Sequence, residues 1–150
     1  MVQEDPLNTG SLRLEIAIPC DDRFRPVLSL LCERMARYIG YPDADASELA
    51  QTVVHATDGV LTHENAPPYD SLDVTILTTD RDIEFHVRYL RDATDASTPA
   101  PGIRHLLSLS TGSEAPLDIL RRVMRRVDFG QTEGIEYCTL TKALPDESSR

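Results

Sequence analysis

Tryptophan is absent from the 150 residues, and there are only seven glycines and three cysteines. Each shortage excludes something. Cys20, Cys32 and Cys138 are too few and too scattered for a disulfide framework, and no Cys-x-x-Cys pair points to structural zinc. No stretch approaches the roughly 18 uninterrupted apolar residues of a membrane span. Neither G-x-x-x-x-G-K-[ST] nor G-x-G-x-x-G occurs, so the common loops that cradle phosphate are missing. There is no G-x-S-x-G, no cysteine with a nucleophile's local signature, and no internal repeat. The opening MVQEDPLNTG is acidic and polar where a signal peptide needs a basic flank and an apolar run. The expectation is a soluble protein of a reducing cytoplasm.

What is present suits one globular domain. The chain is 41% hydrophobic, enough for an ordinary core at this length. Fifteen Lys and Arg face 25 Asp and Glu, a net charge of −10. A field of that sign repels nucleic-acid backbones and anionic lipid, so neither is an expected partner. A local basic patch, or a basic protein partner, stays open.

Leu12, Leu14, Ile16 and Ile18 alternate with Arg13, Glu15 and Ala17, the period of a half-buried strand that Pro19 ends. Pro26 suits the first turn of a helix. Leu28, Leu31, Met35, Tyr38 and Ile39 then recur at helical spacing, and Gly40 can close that helix. A turn through Tyr41-Pro42-Asp43 leads to a second helix, capped by Asp45 or Ser47, with Leu49, Val53, Val60 and Leu61 along one side. Past Pro67 and Pro68 a hairpin is predicted: Leu72, Val74 and Ile76, a turn at Thr79-Asp80-Arg81-Asp82, then Ile83, Phe85, Val87 and Tyr89. From Asp92 to Pro116 the pattern dissolves, apart from an apolar piece from Ile103 to Leu109. A loop of that length is usually functional. A third helix runs from Leu117 to about Val127, and a strand from Ile135 to Thr141 closes the pattern. This order predicts an α/β (α+β) two-layer sandwich, a mixed and mostly antiparallel sheet with helices on one face. Residues 1–10 read as a flexible leader, 11–144 as a single domain and 145–150 as a polar tail.

His55, His63, Glu64 and His86 are candidate metal ligands. On one helix, however, His55 and His63 would stand about 12 Å apart, and zinc ligands lie about 2.0–2.1 Å from the metal. Hydrogen-bonded or solvated histidines are the default, and no metal is expected. Arg121, Arg122, Arg125 and Arg126 would form one basic stripe on the third helix. The bland reading is a solvated face, and the functional one is a docking surface for an acidic partner segment.

The element order and the stretch Glu48-Leu-Ala-Gln-Thr-Val-Val-His-Ala-Thr-Asp-Gly-Val-Leu-Thr-His63 resemble the anti-sigma-factor serine kinases of bacterial partner-switching systems. That family carries the ATPase fold shared by histidine kinases, gyrase and heat-shock ATPases. Its second helix has an apolar run, then Glu-Ala, then Asn four residues after the Glu, then His. Ala56 and His63 match, but His55 stands at the Glu and Gly59 at the Asn. The resemblance implies that the Glu orients the attacking group and the Asn oxygen holds Mg²⁺, which demands oxygen ligands. Gly59 has none. The family's Asp-x-Gly-x-Gly motif, whose Asp contacts adenine, falls on Tyr89 and Arg91. Its Gly-x-Gly-Leu motif, where backbone amides approach phosphate, falls on Glu114 and Pro116. A carboxylate there repels a polyphosphate, and a proline has no N–H.

The resemblance therefore implies a degenerate, pseudokinase-like member with no cofactor, acting in signalling and transcription regulation by binding proteins. Its partners would be a sigma factor, an antagonist protein, or another copy of itself. Two rivals stand beside it. One is a working serine kinase that binds ATP and Mg²⁺ with unusual residues, its nucleotide shifted onto Gly102 and Gly112. The other is an unrelated α+β domain.

Overall fold

The computed structural model describes residues 12–57, 69–90, 102–108 and 114–145. The expected leader and most of the tail, together with Gly59, Val60, Leu61, His63, Glu64, Arg91 and Gly112, lie outside them.

Strand β1 (Arg13–Pro19) turns Leu14, Ile16 and Ile18 to one side and Arg13, Glu15 and Ala17 to the other. Asp21 accepts from the Arg23 amide and starts a short 3₁₀ turn into helix α1 (Arg25–Ile39), with Pro26 in its first turn. Leu28, Cys32 and Ala36, four residues apart, form the buried seam of α1, flanked by Met35 and Ile39.

 The small side chains of Cys32 and Ala36 on this seam suit close packing, and α1 lies against helix α2 (Asp43–His55), where Ala46 and Ala50 are buried in turn. Tyr38, expected to point inward, is 78% exposed. Two residues beyond Ala36 means about 200° around the helix, which carries its ring to the far side.

Gly40 ends α1 at φ 126°, in the left-handed region, and its amide donates to the Ala36 and Arg37 carbonyls at 3.1 Å each. The next residue, Tyr41, is buried and donates its hydroxyl to the Ala143 carbonyl, which ties the α1–α2 corner to the far end of the sheet. Helix α2 starts earlier than expected. Pro42 precedes it and no side chain caps it, so neither Asp45 nor Ser47 has that role, while Asp43 and Asp45 complement the dipole in the first turn. It also ends earlier, at His55, where Thr57 donates its hydroxyl to the Val54 carbonyl at 2.6 Å in competition with further helix.

Strands β2 (Ser71–Thr78) and β3 (Asp82–Leu90) form the expected hairpin, with Val74 opposite Val87 and Ile76 opposite Phe85. The Thr79 amide donates to the Asp82 carbonyl at 2.8 Å and closes the turn. The apolar piece after Gly102 is helix α3 (Ile103–Ser108). Helix α4 (Pro116–Val123) is shorter than expected. The chain leaves it at Met124 and enters a strand absent from the sequence reading, β4 (Arg126–Thr132). Continuing the helix would have stacked Arg121 against Arg125 and Arg122 against Arg126, two like-charge pairs. Val127 and Phe129 instead take the period of a strand. Glu133 (φ 53°) and Gly134 (φ 81°) make the two-residue turn into β5 (Ile135–Ala143).

The sheet order is β1-β2-β3-β5-β4, and among the described residues every neighbouring pair is antiparallel, with none of the parallel pairing that a mixed sheet implies. Leu72, Val74 and Ile76 on β2, Ile83, Phe85 and Val87 on β3, and Cys138 and Leu140 on β5 are fully buried on the same side as Leu28, Leu49 and Leu120 of the helices. Burying each large side chain is worth roughly 1.5–3 kcal/mol. All three cysteines are free and buried. No helix among the described residues is long and apolar enough to cross a membrane.

Candidate functional site

Of the positions that the family resemblance assigns to a nucleotide, the described ones fall where α2 finishes (His55), where β3 nears its end (Tyr89) and where α4 begins (Glu114 and Pro116). Tyr89 occupies the centre. It is 1% exposed and donates its hydroxyl to the Ala56 carbonyl at 2.8 Å, joining β3 to the end of α2. Burial pushes its phenol well above the ordinary tyrosine range, so the group stays a neutral donor. The Tyr69 ring lies 5.7 Å away, tilted by 55°.

Glu136, opposite Tyr89 on β5, completes this group. One carboxylate oxygen accepts from the Tyr69 hydroxyl and the other from the Ile103 amide at 3.1 Å. A side chain added at Gly102 would put its first carbon 3.5 Å from the same carboxylate. Tyr69 and Glu136 went unnoticed in the sequence, because they meet across 67 residues. The only local signal was the apolar Ile103 piece that they hold.

At the start of α4, Pro116 contributes no amide donor. The Asp118 and Ile119 amides both donate to the Ala115 carbonyl, at 3.0 and 3.2 Å. Glu114 is exposed and pairs with Arg122 at 3.1 Å. His55, the last residue of α2, is half-buried.

His86 is remote from all of these. It projects from the other side of β3, so His55 and His86 do not share a site. Among the described residues, no three His, Cys, Asp or Glu side chains converge to hold a metal. The four arginines do not form one helical stripe. Arg121 and Arg122 end α4, Arg125 follows it, and Arg126 opens β4. Arg125 pairs with Asp82 at 2.8 Å and Arg126 with Asp128 at 2.8 Å.

The face of the sheet away from the helices carries a groove of about 560 Å³. His86 lies on it, with Nε2 3.0 Å from a Glu84 oxygen and Nδ1 3.1 Å from the Thr139 hydroxyl. Arg88 and Asp73 pair beside it at 3.4 Å. Tyr137 lies across Gly130, where an added side chain would come within 2.3 Å of the phenol oxygen.

No family model matches the chain, and no curated protein is similar to it in sequence. Among solved structures, it is similar to the RsbU and RsbW domains of Rv1364c from Mycobacterium tuberculosis, with a TM-score of 0.58 and 13% identity. The similarity covers 89% of this chain and 33% of that one. At that identity, what is shared is the fold.

Proposed function

We propose that this chain is a regulatory protein-binding module of the partner-switching type, with no nucleotide chemistry of its own. The observation that carries the reading is Tyr89. Where the resembling family places a carboxylate to contact adenine, this chain has a buried phenol whose one proton is committed to the Ala56 carbonyl. The start of α4 supports the same reading. One donor is missing at Pro116, the Asp118 amide is turned back to the Ala115 carbonyl, and the Glu114 and Asp118 carboxylates beside that helix start would repel a phosphate. The shared fold and the Glu48–His63 resemblance supply the regulatory context.

Binding then rests on surface shape and charge, with a sigma factor or an antagonist protein as the partner. Arg121, Arg122, Arg125 and Arg126 are exposed and offer a basic contact on an otherwise acidic chain. An acidic partner segment would exchange places with Glu114 and Asp82, whose pairs with Arg122 and Arg125 are solvent-exposed and worth little. Calorimetric titration with Mg-ATP and Mg-ADP tests the proposal. No binding in the micromolar range is expected, and micromolar affinity would overturn it in favour of a working kinase.

A further inference from the structure

Two hollows on the open face of the sheet meet at Thr75. One is the groove of about 560 Å³ beside His86, and the other, of about 410 Å³, runs from Asp73 and Arg88 across to Arg13 and Glu15. Both volumes fall in the roughly 300–1,000 Å³ range of small-molecule sites. Arg13, Thr75 and Arg88 line both hollows. The strand register explains the junction. Thr75 stands opposite Glu15 on β1 and His86 on β3, and the next residue of β2 on this face, Asp73, stands opposite Arg88. Thr75 is therefore flanked by two doublets of opposite charge, Arg13 with Glu15 and Arg88 with Asp73.

The groups at this junction have bonding capacity left over. The hydroxyls of Thr75 and Tyr137 line the larger groove with no hydrogen-bond partner among the described residues. Arg88 reaches Asp73 through Nη1 alone, at 3.4 Å, so most of its planar fork stays open. A charge-assisted bond of good geometry is shorter, about 2.7–2.9 Å. The space above Arg88 is also built. Gly130 on β4 lets Tyr137 lean away from β3, with its ring tip over the glycine, where any added side chain would strike it. His86, gripped by Glu84 and Thr139, is held at the floor.

We propose that this junction binds a free aromatic α-amino acid. Such a molecule carries a carboxylate and an ammonium on one carbon, the pattern that a cross-strand ion pair of two adjacent opposite charges complements. Arg88 takes the carboxylate in its fork, the Thr75 hydroxyl donates to the same group, and Asp73 accepts from the ammonium. The ring then lies along the larger groove against Tyr137 and Ile135, where aromatic contact adds to burial. The charges select for a zwitterion. A simple anion would meet Asp73 and Glu15, and a simple cation would meet Arg13 and Arg88. Opening the Arg88–Asp73 pair costs little, because it is solvent-exposed.

The chain contains no tryptophan, so added l-tryptophan is the only indole in solution and its fluorescence anisotropy reads binding directly. The signal should rise and saturate with protein in the micromolar to millimolar range expected for a ligand of that size. Tryptamine lacks the carboxylate and indole-3-propionate lacks the ammonium, and each should bind about tenfold more weakly. Arg88→Gln should weaken tryptophan by about tenfold. Asp73→Asn should weaken tryptophan yet tighten indole-3-propionate, a reversal that general damage to the fold does not produce. A flat trace overturns the proposal, and a face covered by another protein chain would give one. Equal binding of the three indoles, an unchanged Arg88→Gln, or an Asp73→Asn that moves both ligands the same way also overturns it. The site lies on the sheet face opposite Tyr89. Nucleotide binding would sink the preceding reading and leave this one standing, and a flat tryptophan trace would do the opposite.

Discussion

Replacing Tyr89 with phenylalanine isolates the bond on which the occupied pocket rests. The ring remains, still packed near Tyr69, and only the hydroxyl is lost. Its acceptor, the Ala56 carbonyl, sits in a residue with no exposed surface, so it loses a partner that water cannot readily replace. Leaving such a buried acceptor unsatisfied costs about 1–3 kcal/mol. For a domain of this length, each kcal/mol lowers Tm by about 2–4 °C. Urea unfolding should show a lower midpoint with an unchanged slope, since the surface exposed on unfolding is the same. Tyr69→Phe is the companion: it removes the donor to Glu136 but leaves the Ile103 amide on that carboxylate. The two changes touch one group of side chains, so the double variant should depart from the sum of the singles. A Tyr89→Phe protein within about 0.5 kcal/mol of the parent would refute the assignment of that hydroxyl to Ala56.

Stability should fall in alkali, because burial raises the thiols of Cys32 and Cys138 from 9.0 to about 12 and lifts the Tyr89 phenol as well. The unfolded chain gives up these protons first, so stability is full below about pH 9 and declines towards about pH 12, by at most about 1.4 kcal/mol per pH unit for each group. Urea midpoints across that range check it: Cys32→Ala should flatten the slope, and a flat parent profile would refute the burial argument. At the β4–β5 turn, Glu133→Asn should stabilise by a few tenths of a kcal/mol and Gly134→Ala should destabilise by about 1 kcal/mol, since both positions have positive φ; thermal unfolding reads both. Gly130→Ala should cost about 1–3 kcal/mol by driving Tyr137 off its seat, and the displacement should appear in the tyrosine fluorescence.

The parts of the fold legible in the sequence were those with a local period. The alternation in β1 and in the β2–β3 hairpin placed their buried faces correctly, and Pro26 and Gly40 marked the ends of α1. Strand β4 was missed because Leu117, Leu120, Val123, Met124 and Val127 continue a helical spacing across the true break, and nothing local reveals the β5 partner that claims Val127 and Phe129. Tyr38 was misplaced by phase alone. At the candidate site, the family pattern singles out Tyr89, Glu114 and Pro116 but not Tyr69 and Glu136, since no motif holds those two and only the fold brings them together. The arginines were read as one surface because a single helix was assumed.

The position of β5 has a consequence for how the chain acquires its structure. It lies between β3 and β4, so residues 135–143 must arrive before the sheet can be completed. On a ribosome, β1, β2 and β3 emerge first as a meander with one bare edge on β3, and they wait for a strand delivered later. Such a topology ties productive folding to late, long-range pairing, the class of contact that forms slowly and leaves edges open to aggregation meanwhile.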